Sequence, residues 1–237
     1  HDIKMNTSIQ NVIKSEICFV CVPTPSSNNG ECDVGIVEAV INELDVSNYQ
    51  GLIAIKSTVE PGTTSRIAAR FPKLNISYVP EFLRERCAEM DFIANHDVCI
   101  IGTNDIKNFE ILKKAHGHYP KKFIQLSIKE AEISKYFNNV LNATLITFAN
   151  NFYEICLSLG VDYTKVKNAI VNRAHIHDAY LDCNQNFRGF GGVCLPKDTA
   201  AMASLAEKLN IELKFFKYIL EENTKYETTV FDNMRSE

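Results

Sequence analysis

Several absences narrow the field before any residue is singled out. No apolar run reaches the roughly 18 residues that a bilayer crossing needs, and the opening residues show no signal-peptide pattern, so no membrane partner is expected. Neither sign of charge dominates. The formal net charge is −4 and the pI is near 5.9, a balance that speaks against a general nucleic-acid binder. A small anion can still be held by a few local cations and helix N-termini. There is no internal repeat and no low-complexity segment. The histidines show no HxxxH or HExxH spacing, so His175 and His177 receive no metal role. A disulfide framework is also missing. The eight cysteines are scattered, as suits a reducing cytoplasm, and one CxxC pair, Cys18 and Cys21, has no second pair to complete it. That pair lies in Ile17-Cys18-Phe19-Val20-Cys21-Val22, which is predicted to be a buried strand packing small sulfur side chains; metal binding is the competing reading.

What is present is an ordinary globular composition, 46% hydrophobic and 23% charged, in 237 residues, enough for one large domain or two modest ones. Short apolar runs at Ile17–Val22, Leu52–Lys56, Ile76–Val79, Val98–Gly102 and Phe123–Leu126 are strand candidates. Helical patterns at Asp33–Leu44, Thr64–Phe71 and Ile106–His116 separate them. This alternation predicts an α/β fold with a mostly parallel sheet, whose sites gather at the carboxyl ends of the strands. From about Ile128 the pattern changes. Ile133, Phe137, Val140, Leu141, Thr144, Phe148, Phe152, Ile155 and Leu159 step by three or four to a stop at Gly160. That predicts a helix of roughly 30 residues, about 45 Å long, of the kind that spans a domain or builds a dimer interface. A shorter helix over Asp162–Val171, a glycine-rich loop and two more helices follow. The expected boundary therefore separates an α/β half, residues 1–127, from an all-helical half, residues 128–237, with most of a cleft's chemistry expected between them. The chain opens on His1 and closes on a polar tail, so it is expected to be a fragment.

Four groups of residues can carry chemistry. In Gly189–Asp198, three glycines in four positions allow close backbone approach, and Cys194 follows, with Pro196 suited to a helix's first turn. A thiol at a helix N-terminus is favoured as thiolate; Lys197 adds positive charge and Asp198 a base. The alternative is a glycine turn followed by an inert buried cysteine. Lys135 and Asn139 share one face of the long helix, where Asn138, Asn142, Asn150 and Asn151 add amides that line either a polar cavity or a solvated surface. Glu81 and Glu85 flank Phe82-Leu83-Arg84 and serve acid–base work, or else form an exposed turn paired with Arg84. Thr58 offers a hydroxyl to a ligand or caps the next helix.

Together these segments resemble the UDP-glucose/GDP-mannose dehydrogenase family. Phe19–Pro25 is similar to the family's strand and loop over the nicotinamide cofactor, and Lys56–Thr64 to its KSTVPPGTT segment. Pro80–Glu85 is its PEFLRE motif unaltered; Ala131–Asn139 is similar to the start of its central helix, and Gly189–Asp198 to its GYGGxCLPKD loop. The resemblance implies a partial Rossmann-like NAD-binding domain followed by a helical central domain that forms a homodimer. It implies NAD as cofactor and two-step oxidation of a nucleotide sugar for polysaccharide biosynthesis. Cys194 would carry the thioester, Lys135 would stabilise the oxyanion, Asn139 would hold water or alkoxide, and Asp198 would activate the water. Thr58, Glu85 and Glu81 would lie near the reacting centre. Pro23, Thr24, Thr58, Glu85 and Lys197 would touch NAD, and Phe82, Leu83, Lys135, Asn139, Gly191 and Cys194 the substrate.

The sequence also departs from the family pattern. The GxGxxG fingerprint and the second nucleotide-binding domain have no counterpart, which leaves an inactive remnant as the rival reading. His175-Ile176-His177 replaces an Arg-Ile-Gly triplet, Arg86 a glycine, Asn151 a glutamate, and Arg188 an aromatic or aliphatic residue. The Leu195–Asp198 form favours UDP-glucose as substrate, with GDP-mannose the alternative. A dehydrogenase performing a single oxidation has no use for Cys194.

Overall fold

The computed structural model describes residues 9–27, 29–84 and 87–226; Glu85 and Arg86 lie outside the described residues. The chain divides into two compact units, His1–Ser27 with Cys32–Lys135, and Asn28–Glu31 with Tyr136–Glu237.

In the first unit the elements run α1 (Gln10–Ile13), β1 (Ile17–Val20), α2 (Gly35–Val46), β2 (Leu52–Ile55), α3 (Thr63–Arg70), β3 (Asn75–Tyr78), α4 (Ala88–Ile93), β4 (Cys99–Gly102), α5 (Ile106–His116) and β5 (Phe123–Leu126). The sheet order is β1-β2-β3-β4-β5. All pairs are parallel except β3 with β4, which meet antiparallel at Tyr78 and Gly102. The fold is α/β, as predicted. Strand β2, flanked on both sides, is buried at all four residues, which is why Leu-Ile-Ala-Ile is uniformly apolar. Its side chains alternate between two cores. Ile53 and Ile55 join Val37, Ile41 and Leu44 of α2 and Ile67 of α3; Leu52 and Ala54 join Cys99, Ile101 and Leu112 of α5. The register pairs Val20 with Ile55 and Ile55 with Tyr78, so the carboxyl ends of β1, β2 and β3 are level and their loops leave side by side.

One strand departs from expectation. The run predicted as a buried strand over 17–22 ends at Val20, and Cys21 is exposed. Among the described residues β1 has a neighbour on one side only, so Phe19 is 41% exposed. Short α1 and α4 carry too few periodic residues to be seen in the sequence.

Helix α6 (Ile128–Ser158) has 31 residues. Its start is a capping box: Ser127 N–H and Oγ donate to Glu130 at 2.8 and 2.6 Å. Its end is the predicted Gly160, which takes φ 67° while Val161 N–H bonds Cys156 O at 2.9 Å and Gly160 N–H bonds Leu157 O at 3.1 Å. The helix is inverted relative to the usual amphipathic pattern. Phe137, Leu141, Phe148, Phe152, Ile155 and Leu159 of the apolar stripe are exposed, whereas Asn139, Asn142, Ala143, Ala149 and Asn150 are buried.

The second unit adds α7 (Tyr163–Ile170), α8 (Cys194–Lys208) and α9 (Phe215–Asn223). Tyr136, Val140 and Ala143 pack with Phe190, Ala201, Met202 and Ile219, and a smaller cluster joins Ala149, Cys156, Tyr163 and Cys183. Lys167 of α7 is buried between Asp178 and Asp182 at 2.8 and 2.7 Å, fastening the segment ahead of the glycine loop.

Candidate functional site

The first unit gathers its candidates on the level strand ends. Ser57 is buried, and its hydroxyl accepts from Val22 N–H at 2.8 Å and donates to Val22 O at 2.7 Å, tying the Pro23-Thr24 loop to the Lys56–Thr58 loop. Thr24 is buried, Thr58 is half-buried and Pro23 is exposed. The Cys32 thiol donates to Thr58 O at 3.3 Å, holding that peptide in place. The carboxyl ends of adjacent parallel strands are where α/β sheets hold their ligands, and two threonines lie on the loops there.

The third loop is held from beside. Glu81 pairs with Lys56 at 3.0 Å and accepts from the N–H groups of Phe82 and Leu83 at 2.9 and 3.3 Å. Burial pushes the Glu81 pKa up, but the Lys56 ammonium and those N–H groups outweigh it, and the carboxyl lies below its ordinary value. That environment suits a fixed carboxylate that anchors the loop. Arg84 grips Asp91, donating from Nε at 2.9 Å and Nη2 at 2.7 Å, and these bonds hold Asp91 well below the usual carboxylate range. The Lys135 ammonium lies 5.6 Å from the centre of the Phe82 ring, so two predicted site residues meet. Leu83 is half-buried, and Glu85 lies outside the described residues.

Glu132, missed in the sequence, is fully buried and accepts from the N–H groups of Gly62 and Thr64, the latter at 2.8 Å, at the N-terminus of α3. Burial, the largest influence, leaves its pKa raised despite those donors. No apolar periodicity marks its face of α6, which it shares with the buried Tyr136 and Asn139.

In the second unit Cys194 is the first residue of α8 and is exposed. Asp198, four residues on, lies on the same helix face and is 1% exposed. One of its oxygens accepts from Asn139 Nδ2 at 2.6 Å and the other pairs with Lys197 Nζ at 2.7 Å. Asn138 in turn donates to Asn139 Oδ1 at 3.0 Å. Two of the α6 amides meet specific partners: Asn139 meets Asp198, and Asn150 accepts from Arg188 Nε at 2.8 Å and from Gly189 N–H at 3.2 Å. Gly191 is half-buried between that anchored stretch and Cys194. The arrangement offers an accessible thiol at a helix N-terminus, with a carboxylate held in one orientation on the same face.

Among the described residues no group of three or more His, Cys, Asp and Glu is placed to hold a metal, and no helix is long and apolar enough to cross a membrane. All eight cysteines are free.

Residues 1–119 match the NAD binding domain of the UDP-glucose/GDP-mannose dehydrogenase family, and residues 129–225 its central domain. A UDP-glucose 6-dehydrogenase of Rickettsia felis is 31% identical over 97% of this chain and 51% of its own. A GDP-mannose 6-dehydrogenase of Pseudomonas aeruginosa is 28% identical, covering 95% of this chain and 54% of its own. Among solved structures, a UDP-glucose dehydrogenase of Pyrobaculum islandicum superposes with a TM-score of 0.82 at 31% identity, covering 93% of this chain and 52% of that one. The chain thus spans about half the length of the curated relatives it matches.

Proposed function

The chain belongs to the UDP-glucose/GDP-mannose dehydrogenase family, and on that premise we propose that it oxidises C6 of UDP-glucose to the carboxylate in two steps, with Cys194 as nucleophile. NAD, when bound, accepts a hydride in each step. The first oxidation removes hydride from C6 and the proton from its hydroxyl, giving an aldehyde. The Cys194 thiolate adds to that carbonyl to form a thiohemiacetal as its alkoxide, and loss of a second hydride from C6 of that alkoxide gives a thioester. Water then attacks, the C–S bond breaks, and the uronate leaves with the thiol restored.

The observation that carries this reading is the exposed thiol at the start of α8, with Asp198 buried and oriented on the same face. Asp198 activates the hydrolytic water and Asn139 orients water or alkoxide. Lys135 stabilises oxyanions. Lys197 forms an ion pair with Asp198, and its N–H donors are offered to the cofactor. Pro23, Thr24 and Thr58 border the nicotinamide, Phe82, Leu83 and Gly191 border the sugar, and Glu81 holds its loop. Glu85 is assigned to the same centre by its place in the motif.

The exposed apolar stripe of α6 supports a homodimer in which each copy covers the other's stripe. The free thiols support a reducing, cytoplasmic setting. GDP-mannose is the alternative substrate, and a remnant that binds little is the alternative function.

The test supplies UDP-glucose or GDP-mannose with NAD and counts NADH per sugar. The proposal expects two NADH per UDP-glucose and failure of complete oxidation in Cys194→Ala. One NADH per sugar, or full two-step turnover in Cys194→Ala, overturns it. Two NADH per GDP-mannose with UDP-glucose inert reassigns the substrate, and no turnover of either sugar favours the remnant.

A further inference from the structure

We propose that Asn223 is a positioning residue for Cys194, acting through a frame of buried side chains that fixes the loop just before it; this rests on the reading of Cys194 as nucleophile. Asn223 closes α9 and is 8% exposed. Its amide pairs with both backbone groups of Phe190: Nδ2 donates to Phe190 O at 2.7 Å, and Phe190 N–H donates to Oδ1 at 2.7 Å. Phe190 is itself buried, so water cannot replace either bond.

The two preceding residues are held as firmly, from α6. Asn150, 1% exposed, takes the Gly189 N–H and Arg188 Nε on its Oδ1, while its Nδ2 donates to Ile146 O at 2.8 Å and so fixes which way the amide faces. The Arg188 guanidinium lies 4.6 Å from the ring centre of Tyr153 and 4.3 Å from that of Tyr226, and it pairs with Glu154. Gly189 takes φ 63°, and a Cβ there would meet Tyr226 Cβ at 2.8 Å.

Downstream of the nucleophile, Asn139 of the same helix α6 holds Asp198. Cys194 is therefore suspended between two fixed points, residues 188–190 and Asp198. The intervening Gly191, Gly192 and Val193 are half-buried or exposed. A buried amide that mimics a peptide selects one backbone conformation, which an apolar side chain of equal volume does not. The frame gives the loop a single seat, and Asn223 is the part of it supplied by α9.

The test compares Asn223→Ala with Tyr163→Phe, which removes a different buried hydrogen bond of the same unit, that from Tyr163 Oη to Leu181 O at 2.8 Å. Hydrogen exchange over residues 188–194 and the alkylation rate of Cys194 by iodoacetamide are read peptide by peptide. Asn223→Ala is expected to speed exchange at Gly189 and Phe190 by on the order of tenfold or more, and to change the Cys194 alkylation rate. Tyr163→Phe should leave both as in the wild type. In turnover, Asn223→Ala should lower kcat for the second oxidation with KM for the sugar unchanged. If Asn223→Ala does not fold, Asn223→Gln, which keeps both polar groups one methylene further out, carries the same comparison. Unaltered exchange and alkylation, or equal changes in Tyr163→Phe, overturn the proposal. Two-step oxidation surviving in Cys194→Ala sinks the nucleophile instead, and the exchange pattern still decides whether the frame exists.

Discussion

Glu132 offers a perturbation whose size follows directly from the structure. Its carboxylate is fully buried and supplies the acceptors for Gly62 N–H and Thr64 N–H, two backbone donors that a helix start leaves without intrahelical partners. Glu132→Ala leaves both donors buried and unmet at about 1–3 kcal/mol each, roughly 2–6 kcal/mol in all, against a typical domain stability of about 5–15 kcal/mol. Glu132→Gln keeps one acceptor and should cost about 1–2 kcal/mol. Urea unfolding near neutral pH measures both, with an unchanged m-value showing that stability alone has moved. The pH dependence has a definite sign. Burial raises the folded-state pKa above the reference of 4.5, so the folded protein binds this proton more tightly than the unfolded chain. The contribution is complete below the unfolded value and is lost as pH rises through the folded value. The advantage of wild type over Glu132→Gln should therefore shrink between acid and neutral pH. A Glu132→Ala protein within about 0.5 kcal/mol of wild type, or a Gln variant no better than Ala, would refute the reasoning.

Other perturbations test separate parts of the account. Lys56→Met removes the ammonium 3.0 Å from Glu81, so burial should win and the Glu81 pKa should rise, as an NMR titration would show. A depressed carboxyl stabilises above its unfolded pKa and loses that effect as pH falls through its folded pKa; the variant should accordingly be less stable relative to wild type at neutral pH than in acid. Asp198→Ala strands the Lys197 ammonium, whose side chain is 10% exposed, and should cost about 3–5 kcal/mol in urea unfolding, with Asp198→Asn costing less. Phe152→Asp places a charge on the exposed stripe beside Phe148, whose ring centre is 4.6 Å away, and should shift light scattering from dimer mass to monomer mass; an unchanged mass contradicts the proposed interface.

The sheet was legible because the strands keep near-continuous apolar runs, and the Leu52–Ile55 strand is buried on both faces as its composition requires. The same rule misread 17–22, because the run's length says nothing about whether the strand has one neighbour or two. The span of the long helix and its stop at Gly160 followed from periodicity and from the left-handed conformation glycine admits. Which face it buries did not: Asn139 and Asn150 go inward because specific partners, Asp198 and the Arg188-Gly189 segment, satisfy them there. Those partners lie dozens of residues away, and no local pattern announces them. Cys194 and Asp198 were visible through their spacing after a glycine loop, while Asn223 was not, since a single amide ending a helix carries no signal of what it binds.

The most direct test of the central claim is the mass of the peptide bearing Cys194, read after acid quench during turnover with UDP-glucose and NAD. A uronyl adduct on Cys194 is expected, disappearing as the uronate accumulates. Two NADH released per sugar with Cys194 unmodified throughout, or an adduct on exposed Cys21 instead, would contradict it.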